Sequence, residues 1–180
     1  MRIGFFAFIF LGLYCSVVAQ QADIEQQLFD LEGVAFKAID IPEGYAAAYE
    51  LQIKQPVDHE DPSKGYFYQR AFLSHRDLDR PTVICTEGYS RSSNRMYELT
   101  DLIEGNQIDV EHRFFGTSIP DSLDYSYLTL EQATADLHRI NQLFRQIYQG
   151  KWVSTGISKG GQTTIFYRYF YPEDVDVSVP

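Results

Sequence analysis

The chain has 180 residues, of which 44% are hydrophobic and 22% are charged, and its formal net charge is −10. This length and composition are typical of one soluble globular domain with a sizeable core. The negative charge excludes nucleic acid and anionic membrane surfaces as expected partners, because both would repel the chain.

The first 19 residues have the pattern of a secretory signal peptide. Arg2 gives a positive start, residues 3–18 are uncharged and strongly apolar, and cleavage after Ala19 would leave the polar Gln20 at the mature N-terminus. A membrane anchor is the competing interpretation, because the apolar run is close to the shortest length that spans a bilayer. We expect a secreted or periplasmic protein that has no stable membrane association after signal removal and keeps Cys85 as its only cysteine.

The remaining chain predicts two antiparallel strands followed by strand–helix units. Ala46 to Gln55 and Tyr66 to Ser74 read as a hairpin with a long loop, and Thr82 to Thr86 is a β-branched run typical of a strand buried on both faces. The other predicted elements, in chain order, are a short helix from Asp23 to Leu31, a helix from Met96 to Ile103, a strand from Gln107 to Glu111, a long helix after Thr129, a strand from Lys151 to Thr155, a helix that ends near Phe170 and a strand from Val175 to Val179. This order predicts an α/β protein with a mostly parallel sheet after the hairpin.

The long helix has the strongest periodicity. Thr129 and Gln132 form a capping-box pattern at its start, and Glu131 in the first turn suits the helix dipole. Gly150 is predicted to end the helix. The apolar residues recur at steps of three and four and are Leu130, Ala133, Leu137, Ile140, Phe144 and Ile147.

The segment Gly156-Ile157-Ser158-Lys159-Gly160 is a G-x-S-x-G motif between a predicted strand and a predicted helix. A serine on such a turn projects its hydroxyl out of the fold, and glycines beside it avoid collisions across the turn. The pattern predicts Ser158 as a catalytic nucleophile, with a plain glycine turn as the alternative. The positive end of the following helix would favour the oxyanion that forms on an attacked carbonyl.

Two backbone N–H groups are predicted to bind that oxyanion. Lys159 directly follows the serine and supplies the first. The second is expected from the loop after the Thr82 to Thr86 strand, where Tyr89 is the candidate donor and Gly88 allows a close approach of the backbone. A simple turn is the alternative role for Gly88.

The general base and its acidic partner are not assigned. In this type of site both follow the serine, whereas all four histidines precede Ser158. His112 is predicted to be structural, His138 to lie on the surface, and the others, His59 and His75, to lie in loops or at strand edges. Asp174 and Asp176 follow the serine, but they come too early in the chain to be the acidic partner, because they border the next predicted strand. Neither a metal-ligand spacing nor a phosphate-binding glycine loop is present in the sequence, so no metal and no cofactor are expected.

Several motifs together resemble one peptidase family. They are Thr86-Glu87-Gly88-Tyr89, Glu111-His112-Arg113-Phe114-Phe115-Gly116, Tyr127-Leu128-Thr129 with Asp136, Gly156-Ile157-Ser158-Lys159-Gly160-Gly161-Gln162, Tyr169-Phe170-Tyr171-Pro172 and, upstream, Gln55-Pro56-Val57-Asp58-His59. On these motifs the chain resembles the secreted tripeptidyl-aminopeptidase family of serine peptidases (serine peptidase family thirty-seven). A more distant resemblance extends to the prolyl carboxypeptidase and dipeptidyl peptidase family.

The resemblance implies an α/β-hydrolase fold and a serine exopeptidase that acts on peptide substrates with free N-termini through an acyl-enzyme on Ser158. With residues 1–19 taken as the signal peptide, it implies that residues 20–180 are the N-terminal portion of the catalytic domain, truncated after the nucleophile helix. The family carries its triad Asp and His downstream, so the isolated chain is expected to be inactive. An esterase or lipase of the same fold and a non-catalytic secreted binding protein remain alternatives.

Two further assignments follow from an exopeptidase role. A carboxylate near the nucleophile would recognise the substrate ammonium, and Glu87 is the candidate, with stabilisation of its own loop as the alternative. Glu111 and Arg113 end a strand beside that loop and are predicted to form a structural ion pair rather than to contact substrate.

Overall fold

Seven strands form one mixed sheet in the computed structural model, which describes residues 23–180. The strands are β1 Val34–Ala38, β2 Ala47–Pro56, β3 Tyr66–His75, β4 Thr82–Thr86, β5 Asn106–Val110, β6 Trp152–Gly156 and β7 Val177–Val179. Their order across the sheet is β1-β2-β3-β5-β4-β6-β7. The pairs β1–β2, β2–β3 and β3–β5 are antiparallel, whereas the pairs β5–β4, β4–β6 and β6–β7 are parallel. The predicted hairpin leading into a parallel sheet is confirmed.

Helices connect and cover the parallel strands. They are α1, which includes residues 23–30, α2 Glu98–Leu102, α3 Leu130–Phe144 and α4 Lys159–Phe170. Within residues 23–180, no helix combines the length and apolarity needed to cross a bilayer. The predicted signal peptide, residues 1–19, lies outside the described residues.

Strand β4 is buried on both faces, as its composition predicts. Successive side chains of a strand point to opposite faces, so Ile84 contributes to the large core that α1 and α3 cover. Val83 and Cys85 contribute to a smaller core with Tyr97 on the opposite face. Burial raises the pKa of the Cys85 thiol well above its ordinary value. Because β4 is packed on both faces, the loop that follows it begins at a fixed position in the fold.

Two elements differ from the sequence-based expectation. Strand β1 was not predicted, because it is an edge strand with mostly exposed side chains and lacks an apolar run. Helix α3 ends at Phe144 rather than near Gly150. The N–H groups of Ile147 and Tyr148 both donate to the Phe144 carbonyl, so the chain tightens there and leaves the helical path.

A fully buried ion pair between Arg113 and Asp136 joins the segment after β5 to α3. The Nε and Nη2 atoms of Arg113 each lie 2.7 Å from a carboxylate oxygen of Asp136. The remaining guanidinium N–H groups donate to the backbone carbonyls of Pro56, Val57 and Tyr127. Because all five N–H groups have acceptors, the hydrogen bonds offset the cost of burying the two charges.

A second buried carboxylate is less well satisfied. Asp109 on β5 has a fully buried side chain, and Nε of Arg91 lies 2.9 Å from its Oδ2. This contact does not have the angle of a hydrogen bond, so neither carboxylate oxygen of Asp109 has a hydrogen-bond donor among residues 23–180. Burial raises the pKa of Asp109 from 3.8 to about 7, and the positive charges of Arg91 and Arg95 counteract only part of that rise.

Replacing Asp136 tests the contribution of the buried pair. We expect Asp136→Asn to lower the free energy of unfolding by about 3–5 kcal/mol, because Arg113 would stay buried without a charged partner. Chemical denaturation of the purified protein measures this change. Lys151→Met is the matched control, because it breaks an exposed ion pair with Asp176, and it should cost at most about 1 kcal/mol. Equal losses in the two variants would contradict the assigned role.

Replacing Asp109 tests its raised pKa. The folded state holds the Asp109 proton more tightly than the unfolded state, so this group's contribution to stability is lost as the pH rises from 3.8 to about 7. Asp109→Asn mimics the protonated form, so its stability advantage over the wild type should grow across that interval and stay constant above it. Thermal unfolding midpoints across the interval measure the difference. Ser122→Ala, an exposed substitution that changes no titratable group, should keep the pH dependence of the wild type.

Candidate active site

Ser158 lies on a strained turn between β6 and α4. Its backbone has φ 57° and ψ −115°, a conformation that residues other than glycine rarely adopt. Its side chain is exposed and makes no capping hydrogen bond to α4. The serine therefore has the position that a nucleophile on a strand-to-helix turn requires.

The glycines beside Ser158 are required by close backbone contacts. A Cβ atom on Gly156 would collide with the backbone of Gly160 and with the carbonyl oxygen of Thr86. A Cβ atom on Gly160 would collide with the same Thr86 oxygen. The turn therefore packs directly against the end of β4, and the predicted need for small residues is confirmed.

Three threonine hydroxyls connect the end of β4 and the loop after it to the first turns of α4. The hydroxyl of Thr86 donates to the Gly160 carbonyl at 2.7 Å and lies 2.7 Å from the hydroxyl of Thr164. The hydroxyl of Thr163 lies 3.4 Å from the Glu87 carbonyl oxygen. No role for these hydroxyls was predicted from the sequence, although Thr86 and Thr164 are buried and face each other.

The two predicted oxyanion donors lie at the start of α4 and in the loop after β4. Lys159 is the first residue of α4, and its N–H donates to no acceptor within residues 23–180. The Tyr89 N–H is likewise without an acceptor there, while its carbonyl accepts from the His112 N–H at 3.1 Å. A Cβ atom on Gly88 would lie 2.5 Å from Cβ and Cγ of Lys159, so this glycine permits the approach of the two segments. The donor roles remain predictions.

Glu87 is already bound by side chains of its own region. Its Oε1 accepts a hydrogen bond from the Tyr97 hydroxyl at 2.6 Å and forms an ion pair with Arg91. Arg91 also faces Asp109, so one guanidinium lies between two carboxylates. These contacts hold the loop, which was the alternative role for Glu87, and recognition of a substrate ammonium remains a prediction.

Glu111 and Arg113 form structural ion pairs, but not with each other. Glu111 pairs with Arg70 at 2.6 Å, while Arg113 pairs with Asp136. Burial alone would raise the pKa of Glu111, but the hydrogen bonds from Arg70 and from nearby N–H groups lower it below its ordinary value. The same carboxylate accepts backbone N–H bonds from Arg91, Thr117 and Ser118, so Glu111 holds together two loops beside the site.

No histidine side chain within residues 23–180 hydrogen-bonds to Ser158. Nε2 of His59 lies 2.7 Å from Asp136, and Nδ1 of His112 lies 2.9 Å from the Arg113 carbonyl oxygen. Burial lowers the pKa of His112. The structural role predicted for His112 agrees with these contacts, and His59 lies in a loop as predicted.

The other two histidines are less exposed than predicted. His75 is buried beside the Tyr148 hydroxyl, and burial lowers its pKa to about 4. His138 is half-buried, stacks on Tyr171 and lies 2.8 Å from Asp174. Asp174 follows the far end of α4, whose 12 residues span about 18 Å, so this His–Asp pair lies too far from Ser158 to activate it.

Among residues 23–180, no group of three or more His, Cys, Asp or Glu side chains is arranged to hold a metal ion. The exposed hydroxyl of Ser158 on its turn can support nucleophilic attack.

Solved structures share the fold. Acetyl xylan esterase 1 from Thermoanaerobacterium sp. JW/SL YS485 superposes with a TM-score of 0.57 at 12% identity, over 86% of this chain and 55% of that one. A cold-adapted esterase from an Arctic intertidal metagenomic library gives a TM-score of 0.50 at 11% identity, over 79% of this chain and 62% of that one. At such low identity these likenesses concern the fold alone, and they confirm the predicted α/β-hydrolase fold.

Sequence comparisons give the family. Prolyl tri/tetrapeptidyl aminopeptidase from Streptomyces mobaraensis is 42% identical over 165 residues, which are 91% of this chain and 34% of that protein. Prolyl carboxy peptidase like protein 5 from Caenorhabditis elegans is 28% identical over 72% of this chain and 30% of that protein. The chain thus spans about a third of the length of these relatives. A family model described as PS-10 peptidase S37 matches residues 18–180, and the chain belongs to that family.

Proposed function

We propose that this chain carries the nucleophile of a serine exopeptidase that releases short peptides, chiefly tripeptides, from substrate N-termini. The observation that carries the proposal is the strained, exposed turn of Ser158 at the start of α4, in a chain of the S37 family. The name of the Streptomyces mobaraensis relative, a prolyl tri/tetrapeptidyl aminopeptidase, supports the substrate class. Because that name specifies a prolyl enzyme, reporter substrates with proline before the cleaved bond are the first to assay.

The reaction begins with attack of the Ser158 hydroxyl oxygen on the carbonyl carbon of the scissile peptide bond. The hydroxyl proton passes to a general base, and the negative charge on the carbonyl oxygen is stabilised by the N–H groups of Lys159 and Tyr89. The C–N bond then breaks, and the leaving amine takes up the proton. Water next hydrolyses the ester on Ser158, which releases the short peptide and restores the hydroxyl.

The general base is proposed to come from outside residues 23–180. The four histidines of the chain are all engaged elsewhere, and none hydrogen-bonds to Ser158. The relatives are about three times as long as this chain, which supports a base on another part of the protein. We therefore propose that residues 20–180 alone do not hydrolyse peptides.

Secretion is a further part of the proposal. The apolar segment before Ala19 supports export to the periplasm or the medium, where partly digested protein supplies substrates with free N-termini. Recognition of the substrate ammonium by Glu87 is included, because its carboxylate lies in the loop beside Ser158 and shares the single guanidinium of Arg91 with Asp109.

Removing the nucleophile tests the proposed reaction. In the full-length protein, Ser158→Ala should lower kcat for a tripeptidyl amide by roughly 10⁴-fold or more, because no other group can form the acyl-enzyme. Ser122→Ala, an exposed serine in a loop, is the matched control and should keep wild-type activity. Parallel assays with a short-chain ester separate the peptidase from an esterase of the same fold. Failure of the wild type to react with a fluorophosphonate probe would favour a non-catalytic binding protein.

Disturbing the backbone contact behind the serine tests the geometry. Gly160→Ala should slow fluorophosphonate labelling of Ser158 by roughly 100-fold, because the added Cβ must displace the turn from the Thr86 carbonyl. Gly150→Ala is the matched control, since its Cβ would lie 3.4 Å from the nearest atom, an ordinary contact. Labelling at the wild-type rate in Gly160→Ala would contradict the assigned turn geometry.

A further inference from the structure

The side chain of Lys159 lies against two aromatic rings beside the candidate nucleophile. Its Nζ is 4.6 Å from the ring centroid of Tyr89 and 5.0 Å from that of Phe115. Its aliphatic stem packs on Gly88, where an added Cβ would lie 2.5 Å from Cβ and Cγ of the lysine and 2.8 Å from Cδ. The whole length of the side chain therefore contacts the loop after β4 or the loop after β5.

The ammonium of Lys159 is held by rings rather than by a carboxylate. Among residues 23–180, no acidic oxygen lies within ion-pair distance of its Nζ, although the chain as a whole carries a net charge of −10. A cation near ring faces is attracted by the electrons of the rings, and the attraction grows where water is excluded. Cation–π attraction is thus the specific interaction that positions this ammonium.

The two rings belong to different segments that also contact each other. Tyr89 lies in the loop after β4 and Phe115 in the loop after β5, and their rings meet edge to face at 5.5 Å. The ring of His112 packs edge to face on Phe115 at 5.6 Å, and its backbone N–H donates to the Tyr89 carbonyl. Lys159 thus connects three segments: the start of α4 and the two loops.

We propose that Lys159 is a positioning residue whose side chain fixes the backbone N–H of Tyr89 relative to its own backbone N–H. This inference rests on the proposed role of Ser158 as nucleophile. An oxyanion site accelerates the reaction only when its donors are held in place before the charge develops. A single residue would then supply one donor directly and orient the segment that supplies the other.

The inference predicts a specific kinetic signature. The side chain acts on the developing oxyanion through Tyr89, so its loss should weaken binding of the transition state more than binding of the substrate. A lysine that instead bound an anionic group of the substrate would affect substrate binding, and KM would rise. The two roles are therefore distinguished by which constant changes: kcat falls for a positioning residue, whereas KM rises for a residue that binds the substrate.

The experiment uses the full-length protein and a tripeptidyl amide substrate. Lys159→Met keeps most of the stem and removes the charge, and we expect kcat to fall roughly 10- to 100-fold while KM stays within about twofold. Lys159→Arg keeps a cation over the rings and should restore most of kcat. Phe115→Leu removes one ring from the other side and should lower kcat in the same direction. Lys37→Met, an exposed lysine on β1, is the control and should match the wild type.

Binding of a peptide boronate, which forms a tetrahedral adduct on the serine, provides the second measurement. Its affinity should fall across the variants in proportion to kcat/KM, because both depend on the oxyanion donors. Thermal unfolding midpoints identify variants that fail to fold, and if Lys159→Met is one of them, Lys159→Arg and Phe115→Leu decide the question.

Three results would overturn the inference: wild-type kcat in Lys159→Met, a rise in KM alone, or an unchanged boronate affinity despite lower activity. A wild-type protein that neither hydrolyses the amide nor reacts with the boronate would overturn the proposed function instead. The two failures are therefore distinguishable.

Discussion

The contact between the Thr86 carbonyl and the backbone of Gly160 is the constraint on which the rest of the site depends. It brings the end of β4 against the first turn of α4 so closely that neither Gly156 nor Gly160 can carry a side chain. The hydroxyl of Thr86 reinforces the contact by donating to the Gly160 carbonyl. These contacts hold the two segments together, so the loop after β4 has a fixed position relative to Ser158.

Buried charged side chains stabilise the loops beside Ser158. Glu111 collects N–H groups from two loops as well as the guanidinium of Arg70, and Arg91 lies between Glu87 and Asp109. Two of these carboxylates, those of Glu111 and Asp109, are fully buried, and their pKa values depart from ordinary ones in opposite directions. The pKa of Glu111 is lowered because its charge is well bound, whereas that of Asp109 is raised because its charge is poorly bound.

The sequence was sufficient to predict the features that depend on local patterns. The β-branched run of β4, the N-cap Thr129 of α3 and the G-x-S-x-G pattern around Ser158 can each be recognised from residues close in the chain. The predicted capping box is only half formed, because the Gln132 side chain bonds to Asp58 and His59 instead of to Thr129. The family was predictable for the same reason, because its motifs are short and their order is fixed. Edge strand β1 was missed because an exposed strand needs no apolar alternation.

The partners of charged and aromatic residues were not predictable from local patterns. Glu111 and Arg113 are two residues apart, a spacing that places side chains on one face of a strand, yet β5 ends at Val110 and each of the two side chains pairs with a distant residue. The burial of His75 and the direction of the Lys159 side chain also depend on segments remote in sequence. Sequence periodicity describes which face a residue occupies, but not which residue it meets there.

The parallel pairing of β4 with β6 has a consequence for how the site comes into being during folding. Thr86 and Gly156 are register partners at the carboxyl ends of these strands, and Thr86 and Gly160 are separated by 74 positions in the chain. A slip of one residue would shift the serine turn by about 3.3 Å and turn every side chain of the strand to the opposite face. Ser158 and the loop after β4 therefore meet only when the most long-range pairing of the sheet is correct. The geometry around Ser158 is, in this sense, a measure of completed folding rather than of local structure.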